Sequence, residues 1–294
     1  TYKEIRGTNI EAVASDPSNP IEGQVWYNTT TNAVKGFGRS AVSAWSTANS
    51  SNSFHRNSGA AGTQTAALTF GGRPSPGPGA ATESYNGTNW TEVNDLNQAR
   101  HYFAGAGTQT AALGFGGYNG GTLYALTETW NGTNWTEVND MNTARGRVSG
   151  TGATNTAALA LGGYPAPLTA LVETWNGTNW TAVNNLGTAR YSGAASGTNT
   201  AALMIGGTIA GSGITAVTEL WNGTNWTEVN DLNTARKYLA GCGTQTAAIV
   251  FGSGGPPKAI TELWNGTNWT ETSDMLNGRE GMAGAGTNTA ALGI

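Results

Sequence analysis

The sequence is short of charge, of cysteine, of histidine and of long apolar runs. Only 11% of its 294 residues are Asp, Glu, Lys or Arg, and the formal net charge is −4. The few Lys and Arg do not cluster, which excludes a surface that tracks nucleic-acid phosphates. The single cysteine, Cys242, excludes an internal disulfide. No apolar run approaches the roughly 20 residues needed to cross a bilayer, so membrane insertion is not expected. Two histidines, His55 and His101, are too few for an imidazole-based copper set. Helix formers are scarce too. What remains is Gly (44 residues), Thr and 11 Trp, a composition suited to strands and tight turns.

That composition is organised as a repeat. The phrase TETWNGTNWTEVNDMNTAR at 127–145 has close copies before and after it. Its second Trp recurs as Trp90, Trp135, Trp180, Trp226 and Trp269, at steps of 45, 45, 46 and 43 residues, with Trp45 one period upstream. Its first Trp recurs as Trp130, Trp175, Trp221 and Trp264. Ten residues after the second Trp comes Arg100, Arg145, Arg190, Arg236 or Arg279, and Arg56 follows Trp45 by eleven.

Each period parses into four short strands separated by turns rich in Gly, Asn and Thr. Four antiparallel strands at about 45 residues mark a β-propeller blade. Asn-Gly-Thr-Asn reads as a four-residue hairpin loop, with Asn and Gly taking positive φ where needed. The two Trp that flank it should meet across the hairpin and bury against a neighbouring blade. The first strand of each period is built of Gly, Ala, Ser and Thr, as expected near a crowded axis. Cys242 falls in that small-residue column and reads as a packing group.

First and second strands each occur six times, the last second strand ending near Leu292. The third and fourth strands of that copy are expected from AVKGF at 33–37 and WSTAN at 45–49. This predicts an all-β, six-bladed, kelch-like β-propeller with four antiparallel strands per blade, the last blade closed by both termini. The domains expected are 1–32, an N-terminal attachment segment, and 33–294, the propeller. Residues 23–37 read as a hairpin turning at 29–32.

The order of features resembles kelch repeats: a second strand ending in Gly-Gly, an aromatic closing the third, a Trp opening the fourth, then an Arg. The resemblance covers about 34–294. The closing copy departs from it, with Phe37 for the aromatic and Lys35 where Glu83, Glu128, Glu173, Glu219 and Glu262 stand elsewhere. Separately, GQVWYNTTT at 23–31 is similar to the leading segments of phage tail-fibre and virion proteins. That resemblance implies a structural protein of a bacteriophage virion, located in the extracellular particle.

The recurring Arg are expected to pair with a Glu, Asp or carbonyl of their own or the next blade. No catalytic constellation stands out, so a non-enzyme without a cofactor or metal is expected. Alternating strand directions put the second-to-third loops and the inter-blade connections on one face. There the copies differ, while the opposite loops repeat almost unchanged. The candidate ligand-binding residues on the variable face are His101, Tyr102, Tyr118, Tyr124 and Arg147. Tyr164, Tyr191, Lys237, Tyr238 and Lys258 complete the set. The expected role is receptor binding by a structural propeller, its partners being other virion proteins and a host-surface glycan or protein. The alternatives are a secreted bacterial adhesin or lectin and a kelch-type oxidase or glycosidase.

Overall fold

A computed structural model describes residues 11–17, 25–36, 44–53, 55–74, 77–164, 168–253 and 258–294. The chain divides into two compact units, 1–43 and 44–294. In the first, Val25–Asn28 and Ala33–Gly36 form the expected hairpin, and Glu11–Val13 pairs parallel with Val25–Asn28. Asp16 ties this sheet together. Its carboxylate accepts from Lys35 Nζ (2.7 Å), Asn28 Nδ2 (2.7 Å) and Trp26 Nε1 (3.0 Å). Those hydrogen bonds, led by that of Lys35, hold its pKa down at about 2.

Two expectations are corrected here. Ala33–Gly36 pairs inside this hairpin, and Lys35 serves Asp16 instead of standing in the Glu column of a closing blade. The boundary between units therefore falls at 43/44, not at 32/33. Phe37 lies outside the described residues.

Among the described residues, 44–294 carry five four-stranded antiparallel sheets, one per repeat, and two two-stranded ones, Tyr118–Asn119 with Thr122–Leu123 and, last in the chain, Gly284–Gly286 with Ala291–Gly293. The first sheet runs from Gly59–Thr63 to Trp90–Val93 and the second from Ala104–Thr108 to Trp135–Val138. The third to fifth follow in the same order, and the leading strands of successive sheets lie side by side. Gly284–Gly286 packs against both Ala240–Gly243 and Gly59–Thr63.

The need for small residues on the leading strands is steric. A Cβ on Gly105 would sit 2.5 Å from the Ala60 carbonyl oxygen, and one on Gly150 would sit 2.6 Å from the Ala104 Cβ. Cys242 shares the column. Burial pushes its thiol up to about 12, so it is a packing group at neutral pH.

The hairpin Trp meet as expected. Trp130 pairs with Trp135, Trp175 with Trp180, Trp221 with Trp226 and Trp264 with Trp269, with ring centroids 5.2–5.5 Å apart. In the first copy Tyr85 replaces the first Trp and meets Trp90 at 4.8 Å. Within the loops only the Gly takes positive φ, for example Gly132 at 92°. The leading Asn acts through its side chain instead, Asn131 Oδ1 accepting from the N–H groups of Thr133 and Asn134. The core lies between sheets. Trp135 packs on Phe70 of the preceding sheet at 4.7 Å, and Trp180 on Phe115 at 4.9 Å. Burying an indole removes roughly 200 Å² from water, worth at most about 5 kcal/mol.

The recurring Arg and Glu form buried pairs. Arg100 meets Glu128, Arg145 meets Glu173, Arg190 meets Glu219 and Arg236 meets Glu262. In each, the guanidinium also donates to backbone carbonyls, as from Arg145 to Gly162 and Leu171. Burial pulls the Arg145, Arg190 and Arg236 pKa values down, opposed by the partner carboxylate. Arg279 is exposed and has no ion-pair partner among the described residues.

Segment 44–53 is not a strand, contrary to expectation for 45–49, yet its side chains fill the repeat's fourth-strand columns. Trp45 packs on Phe251 at 4.7 Å and donates to Thr261 Oγ1 at 3.0 Å. Trp135, Trp180 and Trp269 donate in the same way to Thr82, Thr127 and Thr218. Asn49 reaches Thr88 and Asn89 as Asn94 reaches Thr133 and Asn134. Asn52 reaches Glu83 as Asn97 reaches Glu128. The Arg column is filled at this copy by His55, not Arg56. Its Nε2 faces Glu83 at 2.9 Å and its Nδ1 faces the Gly71 carbonyl at 2.8 Å. Arg56 instead pairs with Glu280.

Candidate functional site

The variable segments do share one face. Isolated bridges join His101 to Tyr118, Gly146 to Tyr164 and Tyr191 to Thr208, each linking a post-Arg segment to a second-to-third loop. Two residues after each Arg-column position, the chain turns left-handed. Asn57, Tyr102, Arg147, Ser192 and Tyr238 have φ of 53–57°, and Gly281 has 67°. These six are linked head to tail by backbone hydrogen bonds. Tyr102 N donates to Asn57 O (2.9 Å), Arg147 N to Tyr102 O (2.6 Å) and Ser192 N to Arg147 O (3.1 Å). Tyr238 N donates to Ser192 O (2.8 Å), Gly281 N to Tyr238 O (3.0 Å) and Asn57 N to Gly281 O (2.6 Å). The sixth bond returns to the residue that began the series.

These six residues rim a depression of about 100 Å³, with Phe103, Val148, Leu239 and Met282 also lining it. Beneath lies a second cavity of about 120 Å³ between the leading strands. Arg147 dominates the rim. Its guanidinium lies 4.7 Å from the Tyr102 ring centroid, 5.2 Å from Tyr191 and 5.8 Å from Tyr238, within cation–π reach of all three. One nitrogen donates to the Tyr238 hydroxyl at 2.9 Å. No carboxylate pairs with Arg147 among the described residues, so most of its five N–H donors stay open to a ligand.

The field here is positive although the whole chain is negative. Burial, then the charges of Arg73 and Arg147, lower the His101 pKa to about 4. Its Nδ1 is buried without a partner, in keeping with a neutral ring. Lys237 Nζ lies 5.6 Å from the Tyr238 ring. Burial raises the Tyr238 pKa, opposed by Arg147. The acid at this rim, Glu280, is already held by Arg56.

Of the expected binding residues, Tyr102, Arg147, Tyr191 and Tyr238 come together at the rim, with Lys237 beside them. His101 is buried, packs at a tilt on Tyr102 and meets Tyr118 edge-on, so it supports the site from behind. Tyr164 is exposed and meets Tyr191 edge-on at 6.1 Å. Among the described residues no ring contact or ion pair joins Tyr124 or Lys258 to the cluster; the Tyr124 backbone bonds to Gly117 and Arg145, and that of Lys258 to Ser253. Asn57, Ser192 and Arg73 were not anticipated. Asn57 and Ser192 had a signal in register, one period before Tyr102 and one period after Arg147.

No protein-family description and no curated protein matches this chain. Among solved structures, that of YjhT superposes with a TM-score of 0.71, over 85% of this chain and 92% of that one, at 11% identity. The fold is all-β and propeller-like. The likeness extends to the fold alone.

Proposed function

We propose that residues 44–294 form a closed, six-bladed, kelch-like propeller that works as a non-catalytic recognition module. The ring of six backbone bonds supports the blade count, with segment 44–56 supplying side chains that the last two-stranded sheet lacks. The virion assignment, as a tail-fibre or surface protein facing host cells, rests on the leading GQVWYNTTT segment.

One observation carries the binding role. A left-handed turn needs nothing but glycine, and a bulkier residue there costs about 1 kcal/mol. Five of the six rim positions nonetheless carry side chains: Asn57, Tyr102, Arg147, Ser192 and Tyr238. All five line one mouth, on the face where the copies differ, which is where a fixed frame presents recognition groups.

The test is adsorption of particles carrying Tyr191→Ala and Tyr238→Ala, together with density of the intact particle to place the propeller. Loss of host adsorption with an unchanged fold is expected. Unchanged adsorption, or a mouth facing into the particle, would overturn the reading.

A further inference from the structure

Resting on that recognition role, we infer that the rim around Arg147 anchors one oxyanion group, carboxylate or phosphate, of a host-surface saccharide.

The charge argument comes first. Arg147 is half-buried, has no carboxylate partner among the described residues and spends one donor on Tyr238. A guanidinium offers a planar fork that matches carboxylate and phosphate oxygens, and such bonds strengthen where water is partly excluded. Arg73 and Lys237 add to the same field, and Glu280 does not cancel it because Arg56 already holds it. An incoming anion is the missing partner of this cluster.

Size decides how much of the ligand enters. A depression of about 100 Å³ is well below the roughly 300 Å³ or more of a site that swallows a whole small molecule. It has room for one carboxylate or phosphate and a water or two. The rest of the ligand must lie outside, across the partly exposed rings of Tyr102, Tyr191 and Tyr164.

The rim's chemistry favours a saccharide over a peptide. Around the opening stand an amide (Asn57), phenol rings and a guanidinium, with the Ser192 hydroxyl buried in the wall. The apolar Phe103, Val148, Leu239 and Met282 are buried or half-buried. A peptide anchor needs an apolar pocket of side-chain size. A pyranose needs flat rings for its C–H face and hydrogen-bonding groups for its hydroxyls.

The experiment uses the full chain and calorimetric titration with three probes of matched length. These are a glucuronate-containing oligosaccharide, a phosphorylated oligosaccharide and a neutral glucan oligosaccharide. One or both anionic probes should bind, the neutral one at least tenfold more weakly, and added salt should weaken binding. Preference for the glucuronate or for the sugar phosphate identifies the source of the anion. Arg147→Gln should lower affinity by about tenfold or more, with Arg147→Lys intermediate. Tyr238→Phe, which keeps the ring and removes one hydrogen bond, guards against a folding artefact and should show a smaller loss. Equal binding of the neutral glucan would overturn the anion anchor while leaving the recognition face standing. So would anionic binding that Arg147→Gln does not change. In a separate titration with an acidic peptide, tight binding with no saccharide binding would overturn the saccharide assignment. Absence of binding by all three probes, with adsorption still lost in Tyr191→Ala particles, would sink this inference alone.

Discussion

Trp180 donates its indole N–H to the hydroxyl of Thr127, 2.9 Å away and 53 residues back in the chain. The bond crosses a seam between two sheets, and its equivalents recur at Thr82, Thr218 and Thr261. Trp90 departs from it by donating to the Asn49 carbonyl, and at the Trp226 seam the indole N–H has no acceptor. Trp226 packs against the cluster that contains Val172, the position where the hydroxyl should be, and its Nε1 is buried without a partner. Val172→Thr restores an acceptor at nearly constant volume. We expect a gain of about 1 kcal/mol in urea denaturation. The reverse change, Thr127→Val, should cost a similar amount. A Val172→Thr protein less stable than the parent would refute the pairing rule.

His55 holds the Arg position in the first sheet and faces a Glu83 carboxylate that is fully buried. Burial works to raise the Glu83 pKa, but the Asn52 and Ser53 backbone N–H groups and His55 outweigh it and bring it below the usual range. His55→Ala leaves that charge without its basic partner, for a predicted loss of about 3 kcal/mol by denaturation. Adding Glu83→Gln should recover part of it, because the unpaired charge is gone. A further loss in the double variant would show that shape, not charge, is what His55 supplies.

His101 sets a pH dependence whose sign is fixed. Its pKa falls from 6.5 to about 4 on folding. Between those values the unfolded chain binds more protons, so stability rises with pH across that window. The contribution is complete above 6.5 and lost as pH falls toward 4. Imidazole resonances in a pH titration should report a midpoint near 4 for this ring, and His101→Gln should flatten the stability slope. A midpoint near 6.5 would show that burial and the two guanidiniums do not act as argued.

Gly105 tests the crowding at the axis. A Cβ there meets the Ala60 carbonyl and also the Phe70 ring at 2.8 Å. Gly105→Ala should cost about 2 kcal/mol through overpacking, read from the melting temperature. At Gly120, where no atom lies within 4 Å of an added Cβ, the same substitution adds no clash and meets only the φ of 57°. Equal losses at the two sites would remove the steric reading of the leading strands.

Much of the frame was legible because the repeat states it in side chains. Trp, Arg and Glu recur at fixed spacing, and large residues at fixed spacing have few places to go but a shared seam. The Arg–Glu pairs followed from the same logic. His55 was missed because residue type was followed instead of register: Arg56 looks like its repeats, but His55 is 45 residues before Arg100. Ala33–Gly36 was misplaced because a four-residue strand carries too little side-chain pattern to name its partner, and it pairs within its own hairpin. Asn57 and Ser192 went unseen for a different reason. Their link to Tyr102, Arg147 and Tyr238 is made of main-chain atoms, which leave no mark on composition.

That last feature has an evolutionary reach. Amide and carbonyl groups stitch positions 57, 102, 147, 192, 238 and 281, so any residue that keeps its N–H and accepts a left-handed φ preserves the stitching. Within that set, a substitution at one of these six changes the side chain at the mouth and keeps the skeleton. A lineage chasing a changing target would find here six interchangeable tools on a single handle.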